Sequence, residues 1–455
     1  MKIIGCNTAL TPEGWKRDIE IGIGDDGRIA HIRPRHGRAD VTVDVVLPAP
    51  LNLHSHTFQR AMAGMTEGRG PSASDSFWTW RQLMYRFLDR LTPDHVEAIA
   101  ALAFMEMLEA GYSSVAEFHY LHHGVGGVPY ERLSELSDRI IAAAERTGIG
   151  LTILPVHYQY GGCDRRPLQG GQKRFDNDVD RYRRLHEEAA QSIARSHDDY
   201  RIGVAPHSLR AVDTDGLSEV VALGDGGPIH MHIAEQIAEV DEVMTHLGKR
   251  PVEWLLDNHA VDENWCLIHC TQMTADETDR LAATGAVAGL CPITESSLGD
   301  GIFNATRFFA ASGKVGIGSD SNIHIALFDE LKTLEYSQRL RDRSRAALAT
   351  AGCSTGRVLF EATARGGAQA GGRASGAVEA GALADLIGID GDNRWIGHLD
   401  GDAVLDGLIF GGFGQRCIRD VWSAGRHMVR DGRHVHGDEI VAGYRRVMAE
   451  IAGPA

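Results

Sequence analysis

Eight apolar runs of strand length recur along the middle of this chain, and the stretches between them are long enough for helices. The runs are "VVLPAPLNLH", "SSVAEFHY", "GLTILPVHY", "RIGVAPHS", "GPIHMHIAE", "WCLIHCT", "GAVAGLCP" and "KVGIGSDS". Near-continuous apolarity is the mark of parallel strands buried on both faces. The intervening stretches have helical period. In "TPDHVEAIAALAFMEMLEAG" Thr92 stands as the N-cap with Pro93 at the first helical position, and "DTDGLSEVVALG" is a second helix. Eight strands alternating with helices predict an α/β fold, a (β/α)8 barrel of the TIM type. A doubly wound open sheet is the competing architecture.

The two ends have a different texture. "DIEIGIGDDGRIAHIRP" holds two strands around "DDG", and "ALADLIGID" and "IRDVWSAGRHMVRDGRHVH" show the same alternation. All-β pieces at opposite termini predict one small β-sandwich domain built from residues 1–47 and 372–455. The barrel, 48–371, is then an insert with its own core. The Gly/Ala-rich "RGGAQAGGRASGAVEAGALAD" reads as the return to the small domain.

In a barrel, catalytic residues come from the C-terminal ends of several strands. Those ends carry His54 and His56 on the first run, His119 on the second, His157 on the third and His207 on the fourth. The fifth adds His230, His232 and Glu235, the sixth His269 and the eighth Asp320. One histidine of this kind is more often structural than a ligand, but so many at equivalent exits point to a site. In a strand, residues two apart share a face, so His54 and His56 aim into one space. His232 lies nearer the exit than His230 and is the better ligand, with His230 a packed neighbour. Cys266 and Cys270 fall on the face opposite His269 by period 2 and read as packing residues. The expected ligand set is His54, His56, His232 and Asp320, with a position left for water. Nitrogen and oxygen ligands of this kind suit Zn²⁺ or Fe²⁺. A second metal would need a bridging carboxylate, often a modified lysine, after the fourth strand. No lysine lies near "RIGVAPHS", so a single ion is expected.

Charge and cysteine usage exclude other classes. A formal net charge of −16 argues against nucleic acid or an anionic membrane as partner. No uninterrupted apolar run reaches about 18 residues, and "MKIIGCNTAL" does not read as a cleaved leader. Seven scattered cysteines fit reduced thiols in a cytoplasmic protein.

H-x-H after the first strand, H-x-A-E at the fifth, His at the sixth and S-D at the eighth resemble the amidohydrolase superfamily, and the H-x-A-E form with one metal resembles its deaminase branch. The segments "NLHSHTFQRAMAG", "DSFWTWRQLMYR", "AEFHYLHH", "HSLRAV", "HIAEQ", "TESSLGDGIF", "GIGSDS" and "LEYSQRLRDR" go further. Together they resemble the members of that branch that act on N-formimino-L-glutamate. The resemblance implies hydrolysis of that compound to N-formyl-L-glutamate and ammonia, a step of histidine breakdown. It implies that Asp320, with His269, accepts the proton of the attacking water. Glu235 would protonate the imino nitrogen and then the leaving amine. Arg81 and Arg210 are the expected clamps for the two carboxylates, since guanidinium binds carboxylate through paired hydrogen bonds. Gln59, Tyr120 and His207 join them by the same resemblance. In "CPITESSLGDG" Ser297 stands where the resemblance leads one to expect Asn. "TEGRGPSASDSFWTWR" has the Gly/Pro/Ser content of a loop that covers the site or forms a dimer contact, and a homodimer is implied. Two other readings stay open: a deaminase of a purine-type base or nucleoside, and a barrel that has lost catalysis and only binds.

Overall fold

A computed structural model of the chain describes residues 1–67 and 84–452. Seventeen strands are distributed over three sheets among these residues. β1 (Lys2–Thr11), β2 (Gly14–Ile23), β3 (Ile29–Pro34) and β4 (Val41–Pro48) lie at the N-terminal end, and β14 (Leu386–Ile389), β15 (Ile418–Ser423), β16 (Arg426–Arg430) and β17 (Arg433–His434) at the C-terminal end. All eight enter one sheet in the order β17-β16-β15-β14-β4-β1-β2-β3. The seam is β4 against β14, antiparallel, with Leu386 opposite Pro48 and Ile389 opposite Val45. One side of this sheet is closed by its own apolar cluster, including Ile4, Ile21, Val43, Leu386 and Trp422, separate from the larger core.

The C-terminal piece is not all β. It contains helices Asp402–Phe410 and Gly437–Ala452. The last of these buries Ile440, Gly443, Val447 and Ile451, a helical spacing, and Arg90 donates to the carbonyl of Ile451 at 2.7 Å. A strand reading of "IRDVWSAGRHMVRDGRHVH" holds, but alternation alone overlooked the helices around it.

The middle strands are parallel throughout. β5 (Leu51–Ser55), β6 (Ser114–His119), β7 (Gly150–His157) and β8 (Arg201–Ile202) form one sheet, with β9 (Ala205–Pro206) also on β7. β10 (Ile229–Ile233), β11 (Trp265–His269), β12 (Val287–Leu290) and β13 (Lys314–Ile317) form the other. Backbone hydrogen bonds connect the two sheets at both edges. Val204 N–H donates to Pro228 and His230 N–H donates to Val204 on one side. Asp320 N–H donates to His54 and His56 N–H to Asp320 on the other, each 2.9–3.0 Å. Helices separate successive strands apart from β8 and β9, and Thr92 caps Pro93–Glu109 as its sequence suggests. The run "VVLPAPLNLH" divides in two: Val45–Pro48 completes the terminal sheet and Leu51–Ser55 starts the parallel one. Pro48 and Pro50 lack the N–H a continuous ladder needs, and the break falls between them. No helix among the described residues is long and apolar enough to cross a membrane.

A buried ion network ties the terminal sheet to the parallel strands. Arg373, 1% exposed at its side chain, contacts Asp385 at 2.6 Å and Asp199 at 2.9 Å, and Arg426 takes the other oxygen of Asp199 at 2.7 Å. Removing one member leaves a buried charge uncompensated, which costs about 3–5 kcal/mol. Arg373→Met is therefore expected to lose that much in urea unfolding at neutral pH; a loss under about 1 kcal/mol would show the network to be energetically idle.

Candidate metal centre and its pocket

Four of the expected ligands converge. His54 and His56 sit side by side at the end of β5, His232 at the end of β10, and Asp320 three residues past β13. All four are buried, with ring nitrogens of His54, His56 and His232 within 4.8 Å of one another. Asp320 Oδ1 is 3.3 Å from His56 Nε2 and 3.6 Å from His54 Nε2.

The hydrogen bonds decide which nitrogen is free on two of the three rings. His56 Nδ1 faces the carbonyl of Phe118 at 2.9 Å and His232 Nδ1 that of His207 at 3.2 Å. A carbonyl only accepts, so both Nδ1 atoms carry the hydrogen and both Nε2 atoms present lone pairs. His232 Nε2 lies 3.0 Å from His54 Nε2, and His54 Nδ1 has no partner among the described residues. Lone pairs and a carboxylate oxygen converging in a buried space fit a divalent cation. Burial among neighbouring imidazoles holds His54 and His232 well below the usual histidine range and takes His56 down to about 3, so all three are neutral, the form a metal takes.

His269, at the end of β11, faces this cluster with Nε2 3.9 Å from Asp320 Oδ2 and 4.0 Å from Glu235 Oε1. Burial alone would lower its pKa, but Glu235, Glu295 and Asp320 outweigh it and raise it to about 10. Burial takes Asp320 up to about 7, with His269 opposing and Glu235 and Glu295 adding to the rise. Glu295 was not singled out from the sequence. It accepts from His269 Nδ1 at 3.2 Å and from the N–H of Cys291 at 2.9 Å. His269, Cys291 and Glu295 could also hold an ion by distance, but Glu295 Oε1 is already engaged by both neighbours, and a hydrogen-bonded pair describes the group better. Ser297, the departure noted in this loop, is exposed, while Thr294 and Glu295 turn inward, so the change falls on the outer face of the helix Pro292–Leu298.

A cavity of about 570 Å³ opens over the cluster. Its wall includes His56, His232, Glu235, His269 and Asp320, and also Gln59, Tyr120, His207 and Arg210. Gln59 donates to Tyr120 Oη at 2.7 Å. Arg210 is buried and its Nε has no hydrogen-bond partner among the described residues. Glu239 accepts from the N–H groups of Ala234 and Glu235 and so fixes the turn that carries Glu235. Tyr85, Tyr158, Phe175 and Ser321 also line the cavity and were not singled out. Arg81 lies outside the described residues, as does the proposed lid apart from Thr66 and Glu67.

Three strand-end histidines do not reach the cavity. On β6 it is Phe118 and Tyr120 that face the cluster, 5.0 Å from His54 and 4.7 Å from His56, so His119 points the other way. His157 is displaced in the same manner by Tyr158, and packs 5.3 Å from Tyr182. His230 bonds the carbonyl of Ala370 at 2.8 Å, a packed neighbour as expected. Burial lowers His157 to about 4. The unfolded chain takes up that proton below about 6.5 and the folded chain does not, so its stabilisation is complete above 6.5 and lost as pH falls toward 4. Against wild type, His157→Asn is expected to flatten the dependence of unfolding free energy on pH between about 4.5 and 6.5 by roughly 1.4 kcal/mol per pH unit. Parallel slopes in urea titrations would refute it.

Comparison with known proteins bears on this site. The model described as "Amidohydrolase family" matches residues 45–428, and "Formimidoylglutamate deiminase HutF, N-terminal domain" matches residues 1–39. The chain is 46% identical to a formimidoylglutamate deiminase of Pseudomonas aeruginosa, over 99% of this chain and 100% of that one. Its structure is similar to a crystal structure of an amidohydrolase from Brucella melitensis, with 47% identity, a TM-score of 0.95 and both chains covered in full. An adenosine deaminase from Xanthomonas campestris, solved with bound zinc, shares the fold at 22% identity and a TM-score of 0.80, covering 99% of this chain and 98% of that one. The resemblance drawn from the motifs therefore stands, and the chain belongs to the amidohydrolase family.

Proposed function

We propose that this chain hydrolyses N-formimino-L-glutamate to N-formyl-L-glutamate and ammonia, within histidine breakdown. The observation that carries the reading is the histidine–aspartate cluster opening onto a cavity lined by the buried Arg210, whose Nε has no hydrogen-bond partner among the described residues. The full-length likeness to the Pseudomonas aeruginosa enzyme supports the same substrate. His54, His56, His232 and Asp320 would hold one divalent ion, zinc in this reading, with Fe²⁺ the other candidate. When bound, such an ion supplies hydroxide at neutral pH.

The chain's own residues do the rest. Arg210, with Arg81, takes the substrate carboxylates, and Gln59, Tyr120 and His207 orient the chain between them. Asp320 takes up the proton the attacking water releases, and the His269 imidazolium beside it stabilises the negative charge that develops as the water attacks. Glu235 gives a proton to the imino nitrogen as the new carbon–oxygen bond forms. The adduct's hydroxyl then gives its proton to the Glu235 carboxylate, which passes it to that nitrogen, so that ammonia leaves as the carbon–nitrogen bond breaks and the oxygen stays on carbon as the formyl carbonyl. The parallel strands act as a closed (β/α)8 barrel over 48–371, which the backbone bonds at both sheet edges support. The terminal pieces 1–47 and 372–455 act as one small domain, but around a single eight-stranded sheet and two helices rather than as the two packed sheets of a sandwich. The reading also takes the protein as a cytoplasmic homodimer without nucleic-acid or membrane partners, consistent with its net charge of −16.

Ammonia release tests it, with N-formimino-L-glutamate, guanine and S-adenosylhomocysteine offered to one zinc-loaded sample. Release from the first at least about a hundred-fold faster than from either base is expected, since a buried arginine left unpaired by a purine penalises it. Release only from a base would keep the metal chemistry and overturn the substrate.

A further inference from the structure

Asn52, Ser55, Ser319 and Asn322 are wholly buried and hydrogen-bonded to one another across the junction of β5 and the turn after β13. Asn52 Nδ2 donates to Ser319 Oγ at 2.6 Å, and Ser319 N–H donates back to Asn52 Oδ1 at 3.0 Å. Ser319 Oγ in turn donates to Asn322 Oδ1 at 2.6 Å. Asn322 Nδ2 spends its two hydrogens on Ser55 Oγ and on the carbonyl of Asp320, both at 3.1 Å. The chain of amides and hydroxyls thus brackets His54 on one strand and Asp320 on the other.

The backbone it holds is unusual. Asp320 and Asn322 have φ of +45° and +55°, the left-handed region that strains a non-glycine residue. Such a conformation persists only where its surroundings over-determine it. Here Arg60 adds an outer brace: its guanidinium pairs with Glu106 and donates to the carbonyls of Asn322 and Ile323 at 3.0 and 3.1 Å. Gly318 lets the strands approach closely enough, because a Cβ there would lie 2.7 Å from that of His54 and 2.8 Å from its backbone. Buried polar groups this fully satisfied rigidify what they join.

We infer that Asn52, Ser55, Ser319 and Asn322 are positioning residues that fix the distance between the paired histidines and the Asp320 carboxylate, and so set how tightly the metal is retained. The inference rests on the metal-centre reading but not on the identity of the substrate. Removal of groups that orient metal ligands typically costs about 10–100-fold in affinity.

The test uses zinc-loaded enzyme and follows zinc loss to an excess of chelator, together with the visible spectrum of the Co²⁺-substituted protein. Asn322→Ala is expected to release zinc at least about ten-fold faster and to shift the Co²⁺ bands. Tyr182→Phe, which loses a buried bond to the carbonyl of Pro155 far from the ligands, should do neither. Should Asn322→Ala fail to fold, Ser55→Ala, which removes the last link of the chain, carries the test with release at least about three-fold faster. Zinc retention and Co²⁺ spectra indistinguishable from wild type in a folded variant would overturn the inference. Absence of zinc from the wild type would overturn the metal-centre reading itself, a separate result.

Discussion

Glu235→Gln is expected to lower kcat for N-formimino-L-glutamate by about 10³-fold while leaving the metal content unchanged. Glu235 lines the cavity, beside His269 and outside the set of convergent ligand atoms. Glutamine keeps the volume and the hydrogen-bonding reach but cannot deliver a proton. General acid–base groups contribute typically 10²–10⁴-fold, and a group used twice belongs to the upper part of that range. The turn that carries it is fixed by Glu239 through two backbone N–H groups, so the substitution should not move its neighbours. Steady-state ammonia release with metal analysis on the same sample decides it. A kcat within ten-fold of wild type, metal still bound, would remove Glu235 from the proton path.

The second large effect concerns the carboxylate clamp. Arg210→Met is expected to reduce kcat/KM by roughly 10²–10³-fold, chiefly through KM. Truncating one partner of a buried charge pair costs about 2–5 kcal/mol, and each 1.4 kcal/mol is a factor of ten. In a chain of net charge −16 the two substrate carboxylates meet an unfavourable net field and need a cation placed to receive them. Methionine preserves the apolar stem, so lost packing contributes little. Arg210→Lys should recover only part of the loss, because an ammonium cannot offer the paired donors of the guanidinium. Unchanged KM in the methionine variant would mean that the carboxylates are held elsewhere.

The residues that were legible in sequence are those whose chemistry and periodicity agree. His54 and His56, two apart on a strand, and Asp320 at the exit of another, come together as the pattern requires. His119 and His157 show where residue type misleads: alternation puts Phe118, Tyr120 and Tyr158 on the inner face, and following the period rather than the imidazole would have found them. Glu295 could not be found this way, because it lies on a short helix and reaches His269 across a turn from a different strand. Asn52 is a similar case, its partner Ser319 being 267 positions away. The Gly/Ala-rich stretch read as the return to the small domain begins inside a helix. Gly366 and Gly367 belong to the helix Thr355–Ala370, where a Cβ would meet the backbone of Val315 and Leu51, so tight packing and not a turn explains them.

The order of strands in the terminal sheet has a consequence for synthesis. β4 pairs with β1 on one side, but its other neighbour, β14, is encoded more than three hundred positions later. At translation rates of about 5–20 residues per second, β4 leaves the ribosome on the order of half a minute before its partner. During that interval the apolar edge Val45–Pro48 has no native strand to pair with, a state that invites pairing with other nascent chains. A polypeptide cut short anywhere before Leu386 stays in that condition permanently. Quality control by length is thus built into the topology: the first strands made can be completed only by some of the last.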